Sequence, residues 1–327
     1  MNLSLRQKKL LKLLSINSRF SNKDVARALH FSEDAVEYQI KKLIDIEKLA
    51  SFSVQFDYSL LGYTHYHLLI RLKNLDLNYN SLFKIIELIS INSSHGKYDI
   101  QLIALVKNKE ELEKVIASVS KVVNIQDISI SEFHSYIKRF TNILPQINVE
   151  VEIPVNRKNK LYILNTKEYS FSEDRSPVSL DNIDKKIITA LLKNPRIKFS
   201  EISEKTNINQ ETIRYRINGY TQRKFIMNFG LLHNFQKYGL YVTQLLVNLK
   251  DVSKELKDFL QKNSHVFYAA RLIGAYSAVI YIVSKDPISL GERLKEIRRI
   301  MGDDLLNMDL IHLEKIEKYI QFPIQEL

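Results

Sequence analysis

The pattern of apolar and polar positions in this chain repeats after 177 residues. Residues 3–74 match residues 180–251 without a gap, and the apolar positions agree even where the residue types differ. Among the identities, Arg19 falls on Arg196. A match of this length is typical of a duplicated unit of domain size and is too long for a solenoid repeat. The sequence therefore predicts two copies of one unit, called here the first and the second copy.

The beginning of the first copy has the apolar spacing of three short helices. Ser4 and Ser21 each stand three residues before a side chain that can complete a capping box, and Ser32 is a suitable N-cap for the third helix. His30 lies at the tight turn before that helix, where a left-handed backbone is usual. Helices in this order are typical of a helix-turn-helix. Residues 49–56 then alternate as a short strand pair does, which predicts a wing.

The second copy repeats the pattern with different residues. Asp181 and Asp184 can form the capping box of its first helix, and Asn209 can cap its third. Asn207 stands at the turn that His30 occupies in the first copy, and asparagine tolerates a left-handed backbone. Both copies are therefore predicted to contain a helix-turn-helix.

Behind each helix-turn-helix, strand and helix patterns follow in the order β-α-β-β-α-β, which is the ferredoxin-like arrangement. In the first copy we predict strands at 66–72, 99–106 and 125–133, helices at 81–89 and 109–122, and a break at 93–98. In the second copy we predict strands at 242–249, 267–273, 278–283 and 306–313, and helices at 253–262 and 289–301. Both helices of such a unit cover one face of its sheet, so we expect the bare faces of the two copies to pair.

These patterns give an α+β chain of five segments. They are a winged helix-turn-helix at 1–57, a ferredoxin-like domain at 58–140, a linker at 141–178, a second winged helix-turn-helix at 179–235 and a second ferredoxin-like domain at 236–327. Within the linker, residues 149–155 and 160–163 flank the polar stretch 156–159, which predicts a β-hairpin, and residues 168–177 are mostly polar, which is typical of a linker.

Composition narrows the classes of function. The chain has no cysteine, which excludes disulfides and thiolate metal sites, and it shows no apolar run near the roughly 18 residues of a membrane span. Its beginning lacks the pattern of a signal peptide, so we expect a cytoplasmic protein without a membrane partner. The net charge of +11 favours a polyanionic partner, nucleic acid before an anionic membrane. No catalytic residue, metal site or cofactor site is predicted.

The chain resembles the Lrp/AsnC family of prokaryotic transcription regulators in an ordered set of segments present twice. Residues 180–188 resemble the opening helix of that family, residues 194–197 its turn between helices, Gly62 and Gly239 its hinge, and residues 96–99 its Gly-x-Tyr-Asp turn. The resemblance covers about residues 3–135 and 180–320. It implies a winged helix-turn-helix that binds double-stranded DNA, joined to a regulator-of-amino-acid-metabolism (RAM) domain that dimerises through its sheets.

The same resemblance implies a small effector, because many members bind an amino acid near the Gly-x-Tyr-Asp turn. The matching residues here are Gly96, Lys97, Tyr98, Asp99, Gly274 and Tyr276. The second turn ends in Ser277, so the acid that could bind an amino group remains only in the first turn. A family member usually has one copy and acts as a dimer. This chain is therefore expected to be an intramolecular pseudo-dimer. The sequence does not decide whether several chains also form a homo-oligomer.

The third helix of a helix-turn-helix enters the major groove, which identifies the candidate DNA contacts. In the second copy they are Gln210, Glu211, Thr212, Arg214, Tyr215, Arg216 and Asn218, and in the first copy Tyr38, Gln39, Lys41 and Lys42. Arg214 and Arg216 are the first choices, because arginine binds guanine bidentately. Residues 179–235 carry ten Lys/Arg against five Asp/Glu, whereas residues 1–57 carry ten against seven. Glu33, Asp34 and Glu37 begin the third helix of the first copy and repel phosphates, so we expect two unlike half-sites.

Two rival functions share these features. Siroheme decarboxylases have the same two-domain architecture, and His95, Tyr98, Tyr268 and Arg271 lie near the turns where a tetrapyrrole pocket is expected, although a longer His/Arg/Tyr signature is not apparent. The other rival is a protein-interaction module whose helix-turn-helix units serve dimerisation. The sequence favours a sequence-specific DNA-binding regulator over both, and predicts no enzyme.

Overall fold

The computed structural model describes residues 3–75, 77–139, 144–154 and 177–327. The chain forms two compact units, and each unit takes segments from both copies. Among the described residues, unit 1 contains residues 3–62, 144–154, 177–238 and 324–327, and unit 2 contains residues 63–75, 77–139 and 239–323. The two helix-turn-helix segments therefore lie together in unit 1, and the two ferredoxin-like segments lie together in unit 2.

The α-helices and strands of the described residues are numbered here in chain order. The helices are α1 (Leu5–Ile16), α2 (Asn22–Leu29), α3 (Glu33–Ile40), α4 (Tyr79–Phe83), α5 (Lys109–Val122), α6 (Asn182–Lys193), α7 (Phe199–Thr206), α8 (Gln210–Gln222), α9 (Lys254–Lys262) and α10 (Pro287–Met301). The strands are β1 (Ala50–Phe56), β2 (Thr64–Leu72), β3 (Leu88–Gly96), β4 (Ile100–Val106), β5 (Ile125–Lys138), β6 (Ile226–His233), β7 (Tyr241–Leu249), β8 (Val266–Gly274), β9 (Ala278–Ser284) and β10 (Leu305–Tyr319).

The helix caps of unit 1 agree with the prediction in all but one detail. Ser4 and Asp181 form complete capping boxes at α1 and α6. The Ser21 hydroxyl accepts the Asp24 N–H at 3.0 Å but donates to the Asp24 carboxylate, so the predicted box at α2 is only half formed. His30 and Asn207 adopt left-handed backbones with φ of 54° and 57°, which confirms both turns.

The predicted wing of the first copy is wrong in its pairing. Residues 50–56 form the single strand β1, which pairs antiparallel with β6 of the second copy. Ser53 lies opposite Gly230, which is the residue 177 positions further on. Eight residues leave little length for two strands and a turn, whereas an equivalent strand of the other copy satisfies the whole ladder. The two helix-turn-helix segments are therefore joined by one two-stranded sheet.

The third helices of the two copies differ in winding. In the first copy, α3 continues into a π-helical turn at Lys41–Ile46, whereas α8 stays α-helical to Gln222. The π-helical turn adds one residue to the first copy. The second copy has its own extra residue later in the chain, at a bulge of β6 next to Ile226 in the β1–β6 ladder. The Leu49 carbonyl accepts the Asn234 N–H and the Phe225 carbonyl accepts the Asp57 N–H. Leu49 and Phe225 are thus structurally equivalent although they are 176 residues apart.

Unit 2 is one closed sheet of eight antiparallel strands in the order β10-β3-β4-β2-β5-β8-β9-β7. The two ferredoxin-like sheets join at their edges, because β5 pairs with β8 and β10 pairs with β3. Edge pairing satisfies the free N–H and C=O groups that each four-stranded sheet would expose. This edge pairing was not predicted; the sequence indicated only that the bare faces pair. Two apolar clusters, each on the helix-covered side of one copy, form the core of the unit.

One element of the first copy was predicted wrongly. The helix expected at 81–89 is only one turn long, and β3 occupies residues 88–96, which include the end of that expected helix and most of the break expected at 93–98. Ser90, Asn92 and Ser94 gave this strand a polar sequence, yet all three are buried. Pairing with β4 on one side and β10 on the other overrides the weak local strand preference. The other predicted elements of unit 2 are confirmed within a few residues, except that β5 and β10 extend further.

Part of the predicted linker falls on described residues. Residues 149–154 contain no strand, and the Lys12 ammonium donates to the Val149 carbonyl at 2.6 Å. Residues 155–163, which complete the expected hairpin, and residues 168–176 of the polar linker lie outside the described residues.

Candidate nucleic-acid interface

Helix α8 is held by its apolar face and presents a polar face. The Asn209 side chain caps it by accepting the Glu211 N–H at 2.8 Å. Ile213 and Ile217 are fully buried, so the residues on the opposite side of the helix point outward. Of the predicted DNA contacts on this helix, four are exposed and three are half-buried. The exposed ones are Gln210, Glu211, Arg214 and Tyr215, and the half-buried ones are Thr212, Arg216 and Asn218.

Arg214 lies on the exposed face of α8. Its side chain is 49% exposed and donates to the Glu211 carboxylate at 2.5 Å. An exposed ion pair between residues three apart on a helix contributes little free energy, so it opens at small cost. The guanidinium can therefore exchange Glu211 for a DNA group.

Arg216 has a different position. Its two terminal nitrogens bind Asp184 at 3.1 Å and Asp181 at 2.9 Å, both at the beginning of α6. The Tyr220 hydroxyl also donates to Asp184, and burial together with this hydrogen bond raises the pKa of Tyr220. The Asp184 N–H and the Arg216 guanidinium both lower the pKa of Asp181. The structure thus places this predicted DNA contact in a bridge between the first and third helices of its own domain.

The first copy makes the same bridge with neutral groups. Gln7 and Gln39 stand at the positions of Asp184 and Arg216, and the Gln7 amide donates to Gln39 at 3.3 Å. Of the other predicted contacts, Tyr38 is 62% exposed and Lys41 is exposed. Lys42 is half-buried and approaches Glu47 at 4.0 Å.

The outer faces of the two helices carry opposite charges at one equivalent position. Glu37 stands where the second copy has Arg214, and both side chains are exposed. The first turn of α3 also carries exposed Glu33 and Asp34. Tyr38 and Tyr215 are equivalent and both exposed, so the tyrosine is common to both faces while the charge is not.

Two equivalent arginines bind the two helix-turn-helix segments to each other. Arg19 donates to the carbonyls of Pro195 and Ile197 at 2.7 and 3.0 Å. Arg196 donates in return to the Asn22 side chain at 2.8 Å and to the Phe20 carbonyl at 3.3 Å.

The guanidinium groups also lie over aromatic rings, Arg19 at 5.2 Å from Phe229 and Arg196 at 5.2 Å from Phe52. Burial lowers the pKa of Arg196. The sequence showed the identity of Arg19 and Arg196 but not this exchange. An identical long side chain at two matching surface turns was the available signal.

In unit 2, the two glycine turns press against the last strand of the other copy. Gly96 and Gly274 have φ of 125° and 133°, which glycine favours. A Cβ on Gly96 would lie 2.6 Å from the Leu310 carbonyl oxygen, and a Cβ on Gly274 would lie 2.5 Å from that of Ile130. Both predicted turns are confirmed, and each contact leaves no room for a side chain.

Asp99, the acid of the first turn, accepts a hydrogen bond from a backbone N–H, and the second turn makes an equivalent bond. The Asp99 carboxylate accepts the Leu72 N–H at 2.8 Å. Ser277 stands at the equivalent position, and its hydroxyl accepts the Leu249 N–H at the same distance. The change from acid to hydroxyl therefore preserves the local fold.

The tyrosines of the two turns meet. The hydroxyls of Tyr98 and Tyr276 lie 3.1 Å apart, and both side chains are buried. Tyr98 also bonds Ser129 at 2.5 Å, and Tyr276 donates to Asp309 at 2.8 Å. Lys97 completes the group with a 2.8 Å ion pair to Asp309.

This group, the turn cluster, consists of Lys97, Tyr98, Ser129, Tyr276 and Asp309. Burial raises the pKa of Tyr276, and the bond to Asp309 raises the pKa of Lys97. Burial alone would raise the pKa of Asp309, but hydrogen bonds from Lys97 and Tyr276 outweigh it and the pKa falls. The structure thus brings three of the six predicted effector residues together, Lys97, Tyr98 and Tyr276, and engages their polar atoms with one another. It does not bring Asp99 to this group, because the Asp99 carboxylate binds the Leu72 N–H.

A row of aromatic rings in unit 2 was missed in the sequence. Centroid distances are 5.1 Å from His65 to Phe133, 4.6 Å from Phe133 to Tyr136, 5.9 Å from Tyr136 to Tyr268 and 5.3 Å from Tyr268 to Tyr281. The row passes over four strands, β2, β5, β8 and β9.

His67 joins the row at its His65 end, with the two rings 6.4 Å apart. Burial lowers the pKa of His65 to about 4 and that of His67 to about 3, so both imidazoles are neutral at pH 7. Within the described part of the chain, the buried Nε2 atoms of His67 and Gln101 have no hydrogen-bond partner. The His-x-His spacing of residues 65–67 was the available signal.

The described residues contain neither a candidate membrane span nor a candidate metal site. None of their helices has both the length and the apolar character needed to cross a membrane. The same part of the chain contains no group of three or more His, Cys, Asp or Glu side chains arranged to hold a metal ion.

The chain is similar to known proteins at two scales. The AsnC-type helix-turn-helix domain matches residues 180–219. The HTH-type transcriptional regulator Ptr1 of Methanocaldococcus jannaschii is 32% identical over 119 residues, which are 36% of this chain and 80% of Ptr1. An uncharacterized HTH-type transcriptional regulator of Pyrococcus abyssi is 26% identical over 135 residues, 40% of this chain and 91% of that protein.

At the scale of the whole chain, the fold is similar to that of the siroheme decarboxylase NirDL. The crystal structure of that enzyme covers 97% of this chain with a TM-score of 0.61, and 94% of the enzyme is covered in return. The identity is 12%, so this likeness concerns the fold alone. The matches in sequence are to regulators, and on the relationship to Ptr1 and the AsnC-type domain the chain belongs to the Lrp/AsnC family of DNA-binding transcription regulators.

Proposed function

We propose that this regulator reads an asymmetric operator, in which the second helix-turn-helix reads bases and the first contributes little base recognition. The opposite charges of Arg214 and Glu37 at equivalent exposed positions are the observation that carries this proposal. An arginine on the outer face of the third helix can bind guanine bidentately, whereas a glutamate there repels phosphates, although it can accept from a cytosine amino group.

The exposed Gln210 and the half-buried Thr212 complete the reading face of α8. Gln210 can bind adenine, and Thr212 can contact a thymine methyl group. Arg216 stays bound to Asp181 and Asp184 in this proposal, so it supports α8 and does not read a base. Tyr38 and Tyr215 are exposed in both copies and suit a phosphate contact, which carries no sequence information.

The chain acts as its own pseudo-dimer in this proposal. The β1–β6 ladder and the exchanged arginines Arg19 and Arg196 fix the third helices of unit 1 relative to each other. A fixed separation of two reading helices fixes the spacing of the two half-sites. Further association of chains remains compatible with this arrangement.

Selection of bound duplexes from a random pool tests the proposal on the whole chain. We expect one well-defined half-motif and, at a fixed spacing, a second half of weak or different sequence. Arg214→Ala should remove preference at one position of the defined half, and Glu37→Gln is the matched variant on the other helix. A palindromic motif with equally defined halves would contradict the asymmetry.

This proposal does not require an amino-acid effector at the two glycine turns. Asp99 and Tyr98 are engaged in bonds that the second turn reproduces with Ser277 and Tyr276, which supports a structural role for both turns. We expect the twenty amino acids to leave the unfolding temperature unchanged at millimolar concentration. A rise with one of them that is lost in Asp99→Ser would restore the first turn as an effector site.

A second candidate function is a reaction or binding event on a tetrapyrrole. NirDL is a siroheme decarboxylase, and one of its structures is a complex with an iron-uroporphyrin III analogue. The row of rings from His65 to Tyr281 and the free Nε2 of His67 favour this candidate here, because flat aromatic molecules stack on such rings.

An absorption spectrum of siroheme mixed with the protein separates the two candidates. A regulator without tetrapyrrole chemistry leaves the spectrum of siroheme unchanged, which is the result we expect. A spectral change that His67→Ala removes, while Asp99→Ser leaves it in place, would favour the second candidate.

A further inference from the structure

The four residues other than glycine that have a positive φ in the described chain form two matching pairs. His30 and Asn207 end α2 and α7 with φ of 54° and 57°. Lys48 follows the π-helical turn that continues α3, and Lys224 follows α8, with φ of 51° and 60°. The first pair uses residue types that tolerate a left-handed backbone. Lysine has no short polar side chain that can bond its own backbone, so the second pair requires a different explanation.

Lys48 and Lys224 are structurally equivalent, although a gapless alignment of the two copies does not place one on the other. At a shift of 177 residues, Lys48 falls on Phe225 and Lys224 falls on Glu47. In the structure, each lysine precedes the residue whose carbonyl accepts a backbone N–H from the other copy, Leu49 in one case and Phe225 in the other. The π-helical turn before Lys48 creates this one-residue displacement. Both copies therefore have lysine at the same turn despite a local change of register.

Glycine is the residue that this backbone favours. A left-handed residue just after a helix is usually glycine, and other residues there are strained. The favourable interaction of a cation with a helix C-terminus accounts for a positive charge near this turn but not for its placement on the strained residue itself. A strained backbone that occurs twice with the same cation indicates that the side chain is needed there.

We propose that Lys48 and Lys224 are phosphate contacts, one from each helix-turn-helix, that clamp the backbone of double-stranded DNA at the exit of the third helices. In related three-helix DNA-binding domains, the C-terminal end of the third helix contacts the DNA backbone. Lys48 is exposed and Lys224 is half-buried. The first copy then holds DNA through Lys48 even though its reading face is acidic.

This inference rests on the proposed reading of DNA by unit 1 and adds a contact that is independent of base sequence. Its test uses the whole chain with Lys48→Gly, Lys224→Gly and the double variant, and measures duplex affinity at several salt concentrations together with the unfolding temperature. Asn207→Gly is the matched control, because it also places glycine at a left-handed position of the same domain but removes no charge. Lys224→Arg retains the charge.

We expect each glycine variant to keep or raise the unfolding temperature and to weaken binding to operator and random duplexes alike. Loss of one phosphate contact lowers the slope of log affinity against log salt by about 0.9, which corresponds to about eightfold weaker binding at 0.1 M salt. The double variant should lose about twice that slope, while Asn207→Gly and Lys224→Arg should keep the slope of the unmodified chain.

Other results separate the possible failures. If the unmodified chain binds no duplex, the proposed function fails and this inference with it. If the unmodified chain binds and both glycine variants keep its salt slope, the inference alone is overturned. A lower unfolding temperature with an unchanged slope would assign the lysines to the helix ends. A slope that falls only for Lys224→Gly would overturn the assignment of Lys48.

Discussion

The two helix-turn-helix segments share one framework and differ in the chemistry on it. In both, a side chain of the third helix binds the residue at the third position of the first helix. Gln39 and Gln7 do so with one neutral hydrogen bond, and Arg216 and Asp184 do so with an ion pair. Because both copies make the bridge, we infer that this position supports the fold. The charge of Arg216 is therefore poor evidence for DNA contact.

The position two residues earlier on the third helix shows the opposite behaviour. Glu37 and Arg214 are both exposed, and neither binds another helix through a described contact; the ion pair described for Arg214 lies within α8. Opposite charges at such a position change the surface without changing the fold. The comparison teaches how the two kinds of position can be told apart. Side chains of a reading face are exposed and differ between the two copies, whereas side chains of a supporting bridge bind a partner in both copies.

Asp184→Ala should produce the largest effect on stability. The carboxylate is buried and serves Arg216, Tyr220 and the N-cap of α6, so its removal should lower the free energy of unfolding by about 3 kcal/mol. Gln7→Ala removes the equivalent residue and should cost about 1 kcal/mol or less. Urea unfolding of both variants measures the difference. Equal losses would mean that the two bridges contribute alike.

Arg214→Ala should have the next largest effect, and on affinity instead of stability. We expect a loss of about 2 kcal/mol for the selected operator, concentrated at one base position, because a bidentate contact to guanine is lost. Glu37→Ala removes a carboxylate at the equivalent position and should tighten binding to any duplex by about 0.5 kcal/mol. Titration of labelled duplexes measures both. Uniform weakening over all sequences by Arg214→Ala would make it a phosphate contact.

Replacement of Arg19 and of Arg196 should give losses of stability that differ less than those of the two bridges. Arg19→Ala leaves the carbonyls of Pro195 and Ile197 without their charged donor and should cost about 1.5 kcal/mol of stability. Arg196→Ala removes one strong bond to Asn22 and one longer bond to Phe20, and should cost about 1 kcal/mol. Arg19→Lys keeps the charge but loses the fork of donors, so it should not restore stability fully. Full restoration would show that charge alone matters.

Sequence patterns predicted what depends on neighbouring residues. The capping boxes at Ser4 and Asp181 and the left-handed turns at His30 and Asn207 follow from side chains within three residues of each other. The strands of the second ferredoxin-like segment were apolar enough to be located within a few residues. These features need no knowledge of a distant partner.

Features that depend on a distant partner were not predicted. The period of β1 indicated a strand but could not identify β6 as its partner, and β3 was missed because its ladders with β4 and β10 stabilise a polar sequence. The bridge of Arg216 to Asp184 joins residues 32 positions apart, so helix position alone made Arg216 resemble a DNA contact. The π-helical turn leaves no trace in a gapless comparison, because a bulge in β6 compensates for it.

The smallest expected effect concerns the turn cluster, where the two copies differ again. Gly96 lies against Leu310 and Gly274 against Ile130, so Asp309 and Ser129 are equivalent, and each binds the tyrosine of one turn. Of Asp309 and Ser129, only Asp309 can be ionised. Hydrogen bonds from Lys97 and Tyr276 lower its pKa in the folded chain.

A group whose pKa is lowered on folding stabilises the fold above its unfolded pKa, which is about 3.9 for aspartate, and loses that contribution as the pH falls through the folded value. We therefore expect Asp309→Asn to reduce the fall in unfolding temperature between pH 5 and pH 2, while Ser129→Ala leaves the slope of that fall unchanged. An acid limb of the same slope in Asp309→Asn would show that the cluster does not couple Asp309 to folding.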